Sequence, residues 1–88
     1  MHENLSSPDW RELVSRLLKS EMTKRKLKYE DLSQLLAEQG TKQSAANLRN
    51  KINRGILGAD LFIQLFLAMN MKQLDRESLL DILANLND

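Results

Sequence analysis

Cysteine is absent from all 88 residues, which excludes disulfides, thiolate nucleophiles and cysteine-based metal sites, and fits a reducing compartment. There is a single histidine, His2, near the N-terminus, so neither a metal cluster nor a His-based catalytic arrangement can be assembled from it. The carboxylates follow surface patterns rather than converging on a pocket. The expectation is a protein that is not an enzyme and that carries no cofactor and no metal. Proline occurs once and glycine three times, so chain breaks are few, and no alternating β-branched run suggests a strand. Long hydrophobic runs are missing too. The most apolar stretch, 56–71, is interrupted by Gly58, Asp60, Gln64 and Asn70, so no membrane span and no signal peptide are expected. No repeat or low-complexity segment is present. The expected location is the cytoplasm, with no membrane partner.

Hydrophobic residues make up 42% and charged residues 28%, the balance of a folded globule rather than a disordered chain. This length suits one domain with a modest core and leaves no room for a separate sensor module. The net charge is only +1, but it is unevenly spread. Residues 10–28 hold seven basic and two acidic side chains, residues 42–54 hold four and none, and residues 72–88 hold two and four. A basic region is therefore set against an acidic end. Such an imbalance bears on nucleic-acid binding more than the sum does.

The stretch 41–55 is the most distinctive. It has four basic residues, no acidic one, three Asn, one Gln and only two large apolar side chains, Leu48 and Ile52. Those two share a helix face, which Ala45 joins. The opposite face carries Gln43, Ala46, Asn47, Asn50 and Arg54, with Arg49, Lys51 and Asn53 on the flanks. Amides pair with base edges as donor and acceptor, Arg grips guanine or phosphate, and Ala46 permits close approach. The pattern fits a recognition helix; taken alone, it fits a solvated polar face equally well.

In chain order, 1–7 reads as a mobile N-terminal tail and 8–88 as a single domain. Ser7-Pro8-Asp9 is a helix start, with Ser7 as cap, and Trp10, Leu13, Val14, Leu17, Leu18 and Met22 continue at helical spacing to about residue 26. Lys24, Arg25 and Lys26 in its last turn either complement the helix dipole or contact phosphate. A second helix begins near Glu30 and Asp31, with Leu32, Leu35 and Leu36 inward, and Gly40 stops it. A third helix spans about 44–53, capped by Ser44 and ended by Gly55. A fourth, about 59–69, is apolar nearly all round, so it is either central or shared with a partner. Asp75 can cap a fifth helix, whose Leu79, Ile82, Leu83 and Leu86 form a candidate dimer face. The expectation is an all-α fold, a compact five-helix bundle.

Together these features resemble the λ-repressor-like (Cro/XRE-type) helix-turn-helix domains over residues 10–80. The resemblance rests on 27–36 as the first helix of the motif, on Asn50-Lys51-Ile52-Asn53-Arg54-Gly55 as the end of the second, and on the following apolar helix with its Ala68-Met69-Asn70-Met71 exit. The chain departs from the family pattern in three ways. The span from Leu32 to Gly55 is longer than usual, Leu48 and Ile52 are four apart rather than three, and Lys28-Tyr29 stands where Thr-Gln is common. A group of bacterial helix-turn-helix domains sharing this tyrosine and the Asn-Lys-Ile-x-Arg-Gly ending resembles the chain more closely. The resemblance implies that the second motif helix docks in the major groove of double-stranded DNA, with the N-terminus of the first aimed at the backbone.

On that reading Gln43, Ser44, Asn47, Asn50 and Arg54 read bases. Lys24, Arg25, Lys26, Lys28, Tyr29, Lys42, Arg49 and Lys51 meet phosphates. The expected function is a small transcriptional repressor binding a palindromic operator as a homodimer, of phage or mobile-element type such as an anti-CRISPR-associated regulator. The alternative is an antitoxin or adaptor that buries its fourth and fifth helices against a partner protein.

Overall fold

A computed structural model describes residues 5–86, all of whose regular structure is helical. Five helices occupy the described residues: α1 (Ser7–Arg25), α2 (Tyr29–Glu38), α3 (Ala45–Arg54), α4 (Gly58–Ala68) and α5 (Arg76–Ala84). Residues 1–4 of the expected tail, His2 among them, lie outside the described residues. Its last two residues, Ser6 and Ser7, belong to the start of α1. Ser6, not Ser7, is the N-cap of α1, and the Asp9 carboxylate accepts from both the Ser6 backbone N–H (2.8 Å) and the Ser6 hydroxyl (2.9 Å). The backbone bond, with the hydroxyl second, holds the Asp9 carboxyl below its ordinary pKa. Pro8 then falls in the first turn, where it forfeits no intrahelical bond.

The other termini follow from their residue types. Lys26 adopts a left-handed conformation (φ 57°) after α1, which lets the Leu27 N–H reach the Met22 carbonyl at 2.9 Å. Gly40 (φ 87°) turns the chain out of α2, and the Thr41 N–H closes on the Leu36 carbonyl at 2.9 Å. Ser44 caps α3 through its hydroxyl, which accepts from the Asn47 N–H at 3.0 Å. Asp75 caps α5 by position, its carboxylate taking the Ser78 hydroxyl at 2.9 Å.

The core draws on four helices. Leu18 and Met22 of α1, Leu32 and Leu36 of α2, Leu48 and Ile52 of α3, and Leu61 and Leu65 of α4 are buried together, with Met69 and Met71 behind α4. Helix α3 packs on both α1 and α2, α4 packs on α2, and α5 packs on α1. The connection between α2 and α3 is stitched on both sides. The Ser33 hydroxyl donates to the Gln43 carbonyl at 2.6 Å, and the Gln64 amide of α4 donates to the Thr41 hydroxyl at 2.8 Å.

Leu83, expected on a face between two copies, is only 8% exposed in the single chain, so it serves the monomer's own interior. Leu79, Ile82 and Leu86 are half-buried. The Arg16 guanidinium fastens the end of α5 to α1 by donating to the carbonyls of Asn85 (2.9 Å) and Leu86 (3.3 Å). Leu83→Asp is accordingly expected to weaken the isolated chain by about 2–5 kcal/mol, through a lost apolar side chain and an unpaired buried carboxylate. Urea unfolding measures this. An unchanged midpoint would mean that α5 adds nothing to the monomer.

Candidate nucleic-acid interface

The sequence of α3 separates two kinds of residue four positions apart, and the fold uses the separation. Leu48 and Ile52 are fully buried against the other helices, while Asn47, Asn50 and Arg54 are exposed on the far side. These three polar residues, with half-buried Lys51 and exposed Ile56, line one shallow cleft along the helix. Gln43, in the turn before α3, is half-buried, and its side-chain oxygen accepts from the Asn47 side-chain amide at 2.9 Å. Ser44 is exposed, but its oxygen is engaged as the cap, which leaves its hydroxyl proton free to donate. Of the five expected base-reading residues, Asn47, Asn50 and Arg54 thus share one cleft along α3, while Gln43 and Ser44 precede the helix and border another, with the Gln43–Asn47 hydrogen bond linking the two groups.

The candidate phosphate ligands divide into two groups. Tyr29 opens α2 with its ring packed against the core, and the Arg49 guanidinium of α3 lies 5.4 Å from the ring centroid. This cation–π contact joins α2 and α3 and holds Arg49 near the positive end of α2. Lys28 caps α2 through its backbone, its N–H donating to the Asp31 carboxylate at 2.8 Å, so its side chain stays exposed at the same end. Lys42 is exposed in the α2–α3 turn, where it borders a second shallow cleft with Ser33, Ala37, Gln43 and Ser44. Lys28, Tyr29, Lys42, Arg49 and Lys51 thus all belong to α2, α3 and the residues leading into them.

Lys24 and Arg25 are placed differently. Both bind the Glu21 carboxylate, Lys24 at 3.3 Å, and Arg25 also donates to the Glu21 carbonyl at 3.2 Å. They border a cleft shared with Lys72, Gln73, Leu74 and Asp75 of the α4–α5 connection, and no residue of α3 lines it. Burial raises the Glu21 pKa, but the hydrogen bonds and charges of Arg25 and Lys24 outweigh burial and hold it below the ordinary carboxylate range. The stabilisation from this pairing is full at neutral pH and fades as the pH falls through the depressed value. The spacing signal was present in the sequence: Glu21 precedes Lys24 by three and Arg25 by four, both neighbourly on a helix. Lys26 is exposed just beyond the pair.

Helix α4, apolar nearly all round in sequence, keeps one apolar side open. On α4, Ile63 is 53% exposed and Leu67 64%, four residues apart on the side away from buried Leu61 and Leu65. The apolar side chains most open to solvent on the last two helices are therefore on α4, not α5. A helix apolar on every side does not announce which side its neighbours cover.

No group of His, Cys, Asp and Glu able to hold a metal occurs among the described residues, and no described helix is long and apolar enough to cross a membrane. No curated protein and no solved structure matches the chain. Residues 10–74 match a family described as a domain of unknown function, DUF6471, a span running from the first turns of α1 through α4 and stopping short of α5. The chain belongs to that DUF6471 family.

Proposed function

We propose that this protein is a sequence-specific DNA-binding regulator of λ-repressor-like helix-turn-helix type, with α2 and α3 as the motif and α3 as the reading helix. The observation that carries the reading is the two-sidedness of α3. Its two large apolar residues, Leu48 and Ile52, are wholly consumed by the core, while an exposed row of Asn47, Asn50 and Arg54 contains no carboxylate to repel a phosphate backbone. Arg49, held over the Tyr29 ring, adds positive charge on the same helix, and exposed Lys42 and Lys28 add it in the residues leading into α3 and α2. Binding as a homodimer to a palindromic operator in the cytoplasm, with repression as the outcome, completes the proposal. The exposed Ile63 and Leu67 favour a second reading, an adaptor or antitoxin that seats α4 against a partner protein.

Selection from a pool of randomised duplexes tests the first reading. One enriched motif is expected, and Asn50→Ala is expected to relax it at one position, by about 1–3 kcal/mol of discrimination, without changing the fold. Leu48→Ala should behave oppositely, losing roughly 2–5 kcal/mol of stability because it empties a core site. A pool that emerges unenriched would leave the adaptor reading as the better one.

A further inference from the structure

The Gln43–Asn47 contact constrains what α3 can read, and the argument from it rests on the DNA-binding reading above. Asn47 lies in the first turn of α3 and is exposed, whereas Gln43 is half-buried in the preceding turn. The Asn47 side-chain nitrogen donates to the Gln43 side-chain oxygen at 2.9 Å. Gln43 is itself held: its backbone carbonyl accepts the Ser33 hydroxyl of α2 at 2.6 Å. The backbone of Asn47 is fixed as well, since its N–H is bound by the Ser44 cap at 3.0 Å. An exposed asparagine ordinarily rotates among several amide orientations; this one is tied at both backbone and side chain.

The tie also counts hydrogen-bonding groups. A primary amide has two N–H donors and one carbonyl oxygen. With one N–H given to Gln43, Asn47 keeps a single donor and a single acceptor. Guanine shows two acceptors in the major groove, which would leave the Asn47 oxygen facing a like group. Cytosine offers a donor only, thymine an acceptor and a methyl, and a phosphate only acceptors. Adenine alone presents an acceptor, N7, beside a donor, N6–H. We infer that Asn47 reads one adenine through N7 and N6, and that Gln43 is a positioning residue that fixes the amide for this contact without touching the base.

The test uses the full chain and the duplex motif selected from a randomised pool. An A·T pair is expected at one motif position, and Asn47→Ala should lower the preference for adenine there by about 5- to 150-fold. Gln43→Ala should weaken the preference at that same position, and the double variant should lose no more than Asn47→Ala alone. Gln43→Glu, whose carboxylate can still accept from Asn47, should restore the adenine preference even where its charge weakens binding to every sequence. Replacing that adenine by 7-deazaadenine should weaken binding by the parent chain and leave the Asn47→Ala variant unaffected. Circular dichroism melting of each variant separates these effects from lost fold. The inference is overturned if Asn47→Ala keeps the adenine preference, or if Gln43→Ala and Asn47→Ala alter different base pairs. Failure of the DNA-binding reading looks different: no motif emerges from the pool at all.

Discussion

Gly55→Ala should lower the melting temperature far more than Gly40→Ala, although both glycines follow a helix with positive φ. At Gly55 the backbone sits at φ 66°, and an added Cβ would lie 2.0 Å from the Arg11 carbonyl oxygen, 2.6 Å from its carbon and 2.8 Å from its Cα. These are main-chain atoms within α1, so no side-chain rotation relieves the overlap. Either α1 moves off the end of α3 or the turn after α3 is rebuilt. Both responses disturb the packing of α1 on α3, which forms one side of the core. At Gly40, φ is 87° and nothing lies within 4 Å of the added atom. Alanine there meets only the left-handed backbone penalty, about 1–2 kcal/mol.

Adding the cost of forced overpacking, about 1–3 kcal/mol, puts Gly55→Ala at roughly 2–5 kcal/mol. A domain of this size is stable by only about 4–13 kcal/mol at the usual value per residue. The thermal midpoint should therefore fall by roughly 8–40 °C for Gly55→Ala and by about 4–16 °C for Gly40→Ala, at about 4–8 °C per kcal/mol. Helical ellipticity followed with temperature measures both. Equal shifts would mean that the end of α3 does not press on α1 in solution.

The same glycine marks where sequence reading stops. That Gly55 ends a helix is legible, because glycine after a periodic run is the cheapest left-handed residue. That it must also admit the carbonyl of Arg11, forty-four positions earlier, depends on how two helices cross, which no local pattern encodes. The Ser44 cap, the Gly40 stop and the inward turn of Leu48 and Ile52 are likewise local, and each stands as expected. The start of α1 lies one residue earlier than the sequence suggests, because Pro8 and Asp9 admit two caps and only the reach of the Asp9 carboxylate to Ser6 decides between them. Leu83 and the outer face of α4 show the converse. Apolar content told that α4 and α5 were sticky, but which faces were already covered depended on α5 docking on α1 and α4 on α2. Lys24 and Arg25 lie between these cases, since the partner Glu21 was visible in the spacing while its place beside the α4–α5 connection was not.

DNA binding by this chain is expected to weaken steeply with salt, because each phosphate neutralised releases condensed counterions. Lys28, Lys42, Arg49 and Lys51 belong to α2, α3 and the residues leading into them, and among the described residues none has a carboxylate within salt-bridge distance. Four such contacts imply a log–log slope near about −3.6, so raising salt from 50 to 200 mM should weaken binding by roughly 150-fold. Replacing any one of the four by alanine should flatten the slope by about 1 and weaken all sequences alike. Lys24→Ala and Arg25→Ala should change the slope less, because both cations already neutralise Glu21 beside the α4–α5 connection. Arg25→Ala should instead show itself in stability, since it leaves a largely covered carboxylate with one exposed partner, Lys24. Titrations of labelled operator at several salt concentrations give the slopes directly. Were Lys24 and Arg25 to flatten the slope as much as Lys42 and Arg49 do, the phosphate path would have to run past the end of α1 as well as α3. A slope near zero for the parent chain would remove the DNA backbone from the list of ligands and return the basic residues to solvating the fold.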